Sequence, residues 1–392
     1  MPIDDAIVEQ VRAAVQTDRL LDTAMRLIEV PSPTCSGAAV ADRMAEILTD
    51  DGFTVERPEA GWPESPAVAV RFHAESSGRT IQFNGHLDTV HLPFVPPRVE
   101  EGVLYGSGSS DMKGGIAAMI EALRALRDSG TLPAGSVLLT AHDLHEAPWG
   151  DGSQVDRLID AGFVGDGVLL PEYLCDRLPV IGRGLAVLSV KVSRRGEPVH
   201  EVLGGSEQPS VIRAGADIVL RFEKLDDELA RKTHPLAGRE SLFIGQIQAG
   251  EIFNQSPIVL ELAGTRRWLP GTSADDARKQ FHEILAEIAE QRGVEIEGDF
   301  RFVRDAYEIS ETDPLAEAFQ DAYSAVDGQP LTVGAKPFVD DGNTFVHRGG
   351  IPAVTHGPNA TGAHTVHEEV PVEELVRVAN VYALTAIQYC GE

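Results

Sequence analysis

Two periodicities of apolar and polar residues alternate along most of the chain. Short apolar runs typical of buried strands occur at 81–83, 136–141 and 167–170. Apolar residues spaced by three and four positions predict helices over 5–29 and 114–128. Because strands that alternate with helices build a largely parallel sheet covered by those helices, we predict an α/β domain with a mixed, mostly parallel sheet.

The pattern changes between residues 181 and 298. There the periodicities follow the order strand, helix, strand, strand, helix, strand, which is typical of a ferredoxin-like α+β sandwich. Sheet-type segments resume after Thr312, so this stretch interrupts the first domain. We therefore predict the first part of the main domain over 1–180, an inserted domain over 181–298, and the second part of the main domain over 299–392.

Composition narrows the class of protein. A chain of 392 residues exceeds the usual size of one hydrophobic core, which supports two domains. The formal net charge of −28 repels nucleic acid and anionic membrane, so neither is an expected partner. The acidic start of the chain lacks the basic and apolar stretches of a signal peptide, and we expect a cytoplasmic location. Three widely spaced cysteines predict neither a disulfide framework nor a thiolate zinc site.

Metal-type side chains stand at or just after the ends of the predicted strands. In sheets of this class ligands gather beyond the carboxyl ends of the strands, and imidazole with carboxylate oxygens suits zinc or a related divalent ion. Singly, His86 is interpreted as a hydrogen-bonded histidine at a strand end and Asp111 as a helix N-cap. Together the set favours a metal site, with Asp88 orienting the imidazole of His86. The candidate ligands are His86, Asp111, Glu146, Glu172 and His364.

Five motifs extend the pattern over nearly the whole chain. They are GHLDTV at 85–90, GSGSSDMKGG at 106–115, RRGEPVH at 194–200, RWLPG at 267–271 and AHT at 363–365. Jointly they resemble the co-catalytic zinc metallopeptidases and deacylases, the family of carboxypeptidase G, aminoacylase, acetylornithine deacetylase and succinyl-diaminopimelate desuccinylase. The resemblance implies a metal-dependent hydrolase that cleaves an amide-type C–N bond of a small acidic substrate, such as an N-acyl amino acid or a peptide-like molecule.

The resemblance also implies a metal centre with two divalent ions. Zinc is the expected metal, with cobalt or manganese as alternatives and a single ion as a further alternative. Carried over by position, the ligands are His86, Asp111 and Glu172 for one ion, and Asp111, Glu146 and His364 for the other. Asp111 is thus the bridge, and a cis peptide bond is implied between Asp111 and Met112.

Substrate binding and dimerisation are implied for the inserted domain. On the resemblance, the chain forms a homodimer through this domain, and His200 reaches the partner's site to polarise the scissile carbonyl. Asn254 stands nearby, and Arg267 binds the substrate carboxylate through two parallel hydrogen bonds. On their own, these three residues are interpreted as a loop histidine, a turn residue and a surface arginine.

One departure from the family pattern concerns the general base. Where the family has two consecutive glutamates, the first as base and the second as ligand, this chain has His145 and Glu146. His145 is one candidate base because imidazole titrates near neutrality. Alternatively, Glu146 is the base of a mononuclear site, or the protein binds a ligand without hydrolysing it. Hydrolytic deamination of an atypical small molecule is a further alternative. The catalytic candidates are His145, Glu146 and Asp88.

A second departure lies at 337–344, where the family has a Ser/Thr-Asp-Ala stretch near the substrate pocket. Asp341 is the counterpart of the family aspartate, or equally a turn residue beside Gly342, and we do not include it among the catalytic residues. His367 and Glu368 are expected to orient the loop that carries His364.

Overall fold

The computed structural model describes residues 3–391, which divide into two compact units. The first unit contains the chain up to Val180, Ile309–Ala335 and the chain from Asp340 onward. The second unit contains Ile181–Glu308 and Lys336–Val339. No helix of residues 3–391 is both long enough and apolar enough to cross a membrane.

The helices and strands of both units follow the predicted alternation. The helices are α1 Asp5–Ala14, α2 Thr17–Ile28, α3 Ala38–Asp50, α4 Lys113–Ser129, α5 Ser153–Asp160, α6 Val211–Leu229, α7 Ala274–Arg292, α8 Pro314–Asp327, α9 Asp341–His347 and α10 Val372–Cys390. The strands are β1 Val55–Glu56, β2 Val68–His73, β3 Thr80–His86, β4 Arg98–Glu100, β5 Val103–Tyr105, β6 Ser136–His142, β7 Gly167–Leu170, β8 Leu178–Gly182, β9 Gly184–Ser193, β10 Val199–His200, β11 Thr233–His234, β12 Gly238–Arg239, β13 Ser241–Ala249, β14 Gln255–Ser256, β15 Val259–Trp268, β16 Glu295–Arg304, β17 Tyr307–Glu308, β18 Val333–Lys336, β19 Ala353–Thr355 and β20 Glu369–Pro371.

The first unit is built on a six-stranded sheet of order β1-β2-β6-β3-β7-β19. Strands β6, β3, β7 and β19 pair in parallel, whereas β1 and β2 pair antiparallel at one edge. Phe83 of β3 packs against Tyr382 of α10, with ring centroids 5.3 Å apart. Val168 of β7 lies in a buried apolar cluster with Val155 of α5 and Phe345 of α9. The predicted mixed, mostly parallel sheet covered by helices is confirmed.

The predicted helix over 5–29 is wrong in one respect, because the structure has two helices there. The chain leaves α1 at Val15, whose ψ of 121° is extended, and re-enters a helix after Gln16. The backbone N–H of Gln16 donates to the buried carboxylate of Glu121 on α4 at 2.8 Å. This contact with a distant residue, rather than a local helix-breaking signal, accounts for the interruption.

The second unit contains a four-stranded antiparallel sheet of order β13-β15-β9-β16. Together with α6 and α7 it has the strand connections of a ferredoxin-like sandwich, which confirms the predicted fold of this segment. Alternate residues of β9, among them Leu188 and Val190, are buried in a cluster with Phe222 of α6 and Phe281 of α7. The helices therefore cover one face of the sheet.

Candidate metal centre

Neighbouring parallel strands bring the predicted ligands to one edge of the main sheet. Strand β3 ends at His86, which pairs in register with His142, the last residue of β6. Glu146 follows β6 in the next loop, and Glu172 comes two residues after the end of β7. Because these strands run in parallel, their carboxyl ends meet at the same edge.

Asp111 faces a histidine on each of its two carboxylate oxygens. Oδ1 lies 3.1 Å from Nε2 of His86, and Oδ2 lies 3.2 Å from Nε2 of His364. The same Nε2 of His364 is 3.2 Å from Oε2 of Glu146, and Nε2 of His86 is 3.7 Å from Oε1 of Glu172. The five predicted ligands thus form two groups that share Asp111.

The imidazole of His86 is oriented for metal binding. Its Nδ1 lies 2.9 Å from the carbonyl oxygen of Asp88. Since a carbonyl oxygen only accepts hydrogen bonds, Nδ1 carries a proton, and Nε2 is the nitrogen that would bind a metal ion held by Asp111. The backbone oxygen of Asp88 makes the hydrogen bond, and its carboxylate Oδ1 lies farther away, 3.6 Å from Nδ1. The orienting role of Asp88 stays a prediction. The carboxylate also accepts from the backbone N–H groups of His145 and Glu146, at 3.1 and 2.9 Å to Oδ2.

The charges of this cluster suit bound cations. Three buried carboxylates, those of Asp111, Glu146 and Glu172, converge on it. Burial, together with the charge of Asp111, raises the pKa of Glu146 and raises that of Glu172 well above its usual range. Divalent ions relieve this repulsion, and a set of imidazole nitrogens and carboxylate oxygens is one that zinc accepts. The residues present therefore fit a metal site, which is open to solvent at His364, whose side chain is 53% exposed.

The loop that carries Asp111 is held from the C-terminal part of the chain. The peptide bond between Asp111 and Met112 is cis, as the resemblance implies. The buried carboxylate of Glu368 accepts hydrogen bonds from the backbone N–H groups of Gly108, Ser110 and Asp111, each at 3.1 Å. Glu368 thus fixes the loop of Asp111, and its predicted role in orienting the loop of His364 stays a prediction.

His145 occupies a defined position beside the ligands. Its ring stacks on that of His86, with centroids 3.9 Å apart and planes inclined by 5°. Its Nδ1 lies 3.1 Å from Oδ2 of Asp341, and the same oxygen lies 2.9 Å from Nε2 of His142. Although burial opposes ionisation, the interactions with His145 and His142 hold the pKa of Asp341 well below its usual range. Sequence reasoning missed His142, and the one available signal was its place at the end of a buried strand.

The predicted substrate-binding residues all lie in the second unit. Nε2 of His200 is 2.9 Å from the side-chain amide of Asn254, and the strands β10 and β14 pair beside them. Arg267 lies on β15, where burial and then the charge of Arg183 lower the pKa of its guanidinium. The structure therefore brings His200 and Asn254 together, and the roles of all three residues stay predictions.

Comparisons of sequence place these features in a family. The model of peptidase family M20/M25/M40 matches residues 82–388, more than half of the chain. The succinyl-diaminopimelate desuccinylase of Alkalilimnicola ehrlichii is 27% identical over 391 residues, covering 92% of this chain and 96% of the relative. The desuccinylase of Methylorubrum populi is 25% identical over 390 residues, covering 94% and 98%.

Solved structures share the fold. Aminopeptidase PepT from Bacillus cereus has a TM-score of 0.80 at 18% identity, covering 96% of this chain and 99% of its own. The M20 metallo-carboxypeptidase of Sulfolobus solfataricus has a TM-score of 0.77 at 16% identity, covering 95% and 99%. The YXEP protein of Bacillus subtilis, described as a dinuclear metal binding peptidase, has a TM-score of 0.68 at 16% identity, covering 95% and 97%. The resemblance found in the sequence is confirmed, and the chain belongs to peptidase family M20/M25/M40 as a metal-dependent hydrolase of amide C–N bonds.

Proposed function

We propose that this protein is a deacylase that hydrolyses the N-acyl bond of a small acidic acyl amino acid at a centre of two divalent ions. The observation that carries the proposal is the bridging position of Asp111, whose two oxygens face Nε2 of His86 and Nε2 of His364. The desuccinylase relatives support an N-acyl amino acid with a further carboxylate as the substrate class. The proposed ligands are His86, Asp111 and Glu172 for one ion, and Asp111, Glu146 and His364 for the other.

Zinc is the proposed metal, because imidazole and carboxylate donors suit it, although such donors also accept cobalt and manganese. When bound, divalent ions polarise a carbonyl oxygen and lower the pKa of a water molecule to about 7. The protein residues hold the ions, orient the substrate and move the proton. A mononuclear site stays the alternative and is distinguished by the number of ions bound per chain.

His145 is the proposed general base. Glu146 has its Oε2 3.2 Å from Nε2 of His364, and this distance supports the role of a ligand for Glu146. His145 has its Nε2 3.9 Å from Oε1 of Glu172, on the side where Nε2 of His86 also points. We propose that Nε2 of His145 takes a proton from the attacking water and passes it to the leaving amine.

The second unit is proposed to complete substrate recognition. His200 is proposed to polarise the scissile carbonyl in the site of the second protomer, with Asn254 beside it, and the guanidinium of Arg267 to bind the substrate carboxylate in two parallel hydrogen bonds. The inserted domain predicted over 181–298 is proposed to form a homodimer. Light scattering of the purified protein tests the dimer, whose mass would be twice the 42.1 kDa of one chain. The metal proposal above does not depend on the dimer, because its five ligands belong to the first unit.

The test measures metal content and amine release together. The protein is stripped with a chelator, reloaded with zinc, cobalt or manganese, and assayed on N-succinyl and N-acetyl amino acids. We expect two ions per chain, hydrolysis that disappears on chelation and returns with metal, and preference for the acidic acyl group. A protein that binds two ions and releases no amine from any substrate would support the non-catalytic alternative.

Matched variants assign the base. His145→Gln is expected to lower kcat by about 10²- to 10⁴-fold and to retain both ions, whereas Glu146→Gln is expected to lose metal. His73→Gln, at an exposed histidine in β2, is the control for a change of the same kind outside the ligand set. The opposite outcome, with metal lost in His145→Gln and turnover alone lost in Glu146→Gln, would assign the base to Glu146.

A further inference from the structure

A single carboxylate oxygen connects two imidazoles next to the metal centre. Oδ2 of Asp341 lies 3.1 Å from Nδ1 of His145 and 2.9 Å from Nε2 of His142. Asp341 is fully buried, and His142 is buried with it, whereas His145 keeps 12% of its side-chain surface accessible. The order of the three residues is therefore a buried imidazole, a buried carboxylate and an imidazole that reaches the site.

Asp341 is the first residue of a helix, but its carboxylate does not serve to cap that helix. The N-cap of α9 is Asp340, whose Oδ1 accepts from the backbone N–H of Gly342 at 2.7 Å. Oδ2 of Asp340 accepts from the hydroxyl of Thr355 at 2.7 Å, which ties the helix to β19. Because Asp340 satisfies the helix end, the carboxylate of Asp341 is not needed as a cap.

Hydrogen-bond chemistry determines the tautomer of His145. A carboxylate accepts and does not donate, so Nδ1 of His145 carries the proton of its contact with Asp341. In a neutral imidazole the lone pair then lies on Nε2, the atom that points to the side of Glu172 and His86. His142 has acceptor oxygens at both nitrogens, since its Nδ1 lies 2.9 Å from the carbonyl oxygen of Asp143. It therefore donates to Asp341 and holds that carboxylate in place.

The stacked rings exclude one role for His145. Donor atoms of His86, His145 and Glu172 approach within 4.8 Å of one another, which by distance alone would suit a shared ion. A zinc ion lies close to the plane of the imidazole that binds it, at about 2.0–2.1 Å from the nitrogen. The two ring planes are nearly parallel, with centroids 3.9 Å apart. Because stacked rings stay about 3.5 Å apart, an ion in the plane of the His86 ring is too far from the plane of His145.

We propose that Asp341 is a positioning residue, which fixes His145 with its proton on Nδ1 and its lone pair on Nε2. Asp341 is itself anchored by His142. His145 therefore acts as a base beside the metal ligands and is not one of them. This inference rests on the proposed function, because it presumes that His145 moves the proton in amide hydrolysis. It assigns a role to a residue that the sequence pattern left as a pocket or turn aspartate.

The first experiment compares Asp341→Asn with Asp340→Asn in the zinc-loaded protein. The side-chain amide of asparagine can donate to Nδ1 and so reverse the tautomer of His145. We therefore expect Asp341→Asn to lower kcat by about 10²- to 10⁴-fold, with KM and bound metal unchanged. Asp340→Asn loosens the cap of the same helix without a contact to His145, and we expect kcat within about threefold of wild type.

A double-mutant cycle separates positioning from a structural role. In a His145→Gln background, Asp341→Asn is expected to change kcat by less than about threefold, because the residue it positions has gone. An equal loss of kcat in both backgrounds would overturn the inference, since it would show that Asp341 acts through the fold and not through His145.

The second experiment reads the tautomer without activity. Two-bond ¹H–¹⁵N spectra of the ¹⁵N-histidine-labelled, zinc-loaded protein identify His145 as the signal absent from His145→Gln. We expect a proton on Nδ1 in wild type and on Nε2 in Asp341→Asn, and an unchanged visible spectrum of the cobalt-loaded His145→Gln variant. A wild-type proton on Nε2, or a cobalt spectrum altered by His145→Gln, would overturn the inference. Absence of both metal binding and amine release in wild type would instead refute the proposed function, while the labelled protein as isolated still reports the tautomer.

Discussion

The carboxylate of Asp88 provides the most direct test of how the metal centre is assembled. It is fully buried and accepts hydrogen bonds from the backbone N–H groups of His145 and Glu146. The substitution Asp88→Ala removes both acceptors and leaves the backbone oxygen that binds Nδ1 of His86. It therefore perturbs the loop that carries Glu146 more than it perturbs the orientation of His86.

The magnitude follows from the two N–H donors that lose their acceptor, that of buried Glu146 and that of half-buried His145. An unpaired buried N–H costs about 1–3 kcal/mol and a half-buried one costs less, so Asp88→Ala is expected to lower the free energy of unfolding by about 1–5 kcal/mol. Residues that orient metal ligands typically change metal affinity by about 10- to 100-fold when they are removed. We expect a loss in that range, because Glu146 is no longer held in place.

The assay combines urea unfolding of the metal-free protein with calorimetric titration of zinc. Asp18→Ala, at an exposed aspartate in the first turn of α2, is the control and should change the free energy of unfolding by at most about 0.5 kcal/mol. Asp88→Asn keeps one acceptor oxygen, and its free energy of unfolding is expected to lie between those of Asp88→Ala and Asp18→Ala. If Asp88→Ala unfolds like the control and binds zinc like wild type, the two hydrogen bonds do not hold the site and the reasoning is wrong.

Three further predictions follow from other parts of the first unit. Gly115→Ala should lower the free energy of unfolding by about 1–3 kcal/mol and reduce amine release, as measured by urea unfolding and the amine assay. The reason is that the added Cβ would lie 2.4 Å from the carbonyl oxygen of Pro171, next to Glu172. Chelation should lower the melting temperature, and zinc at a hundred times its Kd should restore about 2.7 kcal/mol, as measured by thermal unfolding. Burial lowers the pKa of His356 from 6.5 to about 3, so its contribution to stability is present above pH 6.5 and is lost as the pH falls. Between pH 7 and 5.5 this loss is about 1.2 kcal/mol, and it should be missing from the pH dependence of His356→Gln in urea unfolding.

Much of the fold could be predicted because its determinants are local. Buried parallel strands such as β6 and β7 appear in the sequence as short apolar runs, and their boundaries lie close to the predicted ones. The metal-type residues at their ends could be grouped because parallel strands share one edge. The ferredoxin-like order of the second unit was readable for the same reason, since each of its elements has its own periodicity.

Other features depend on contacts between distant positions. The break after α1 follows from Gln16 and Glu121, which lie 105 residues apart in sequence. The contact of His145 with Asp341 spans 196 residues, and no periodicity relates the two. Local pattern reports which face of an element is buried, whereas it carries no information on which distant side chain will meet it.

The substitution in the base position imposes a requirement that the surrounding residues meet. A glutamate base can take a proton on either of two equivalent oxygens, so its orientation is the main demand on the protein. An imidazole has only one basic nitrogen in each neutral tautomer, and a base at this position therefore needs an acceptor at the other nitrogen. In this chain that acceptor is Asp341, and the charge of Asp341 is in turn balanced by His142. A site that had lost its glutamate base without gaining another would not need the hydrogen-bonded series of His145, Asp341 and His142. The proposed hydrolysis with His145 as base does require the contact between His145 and Asp341.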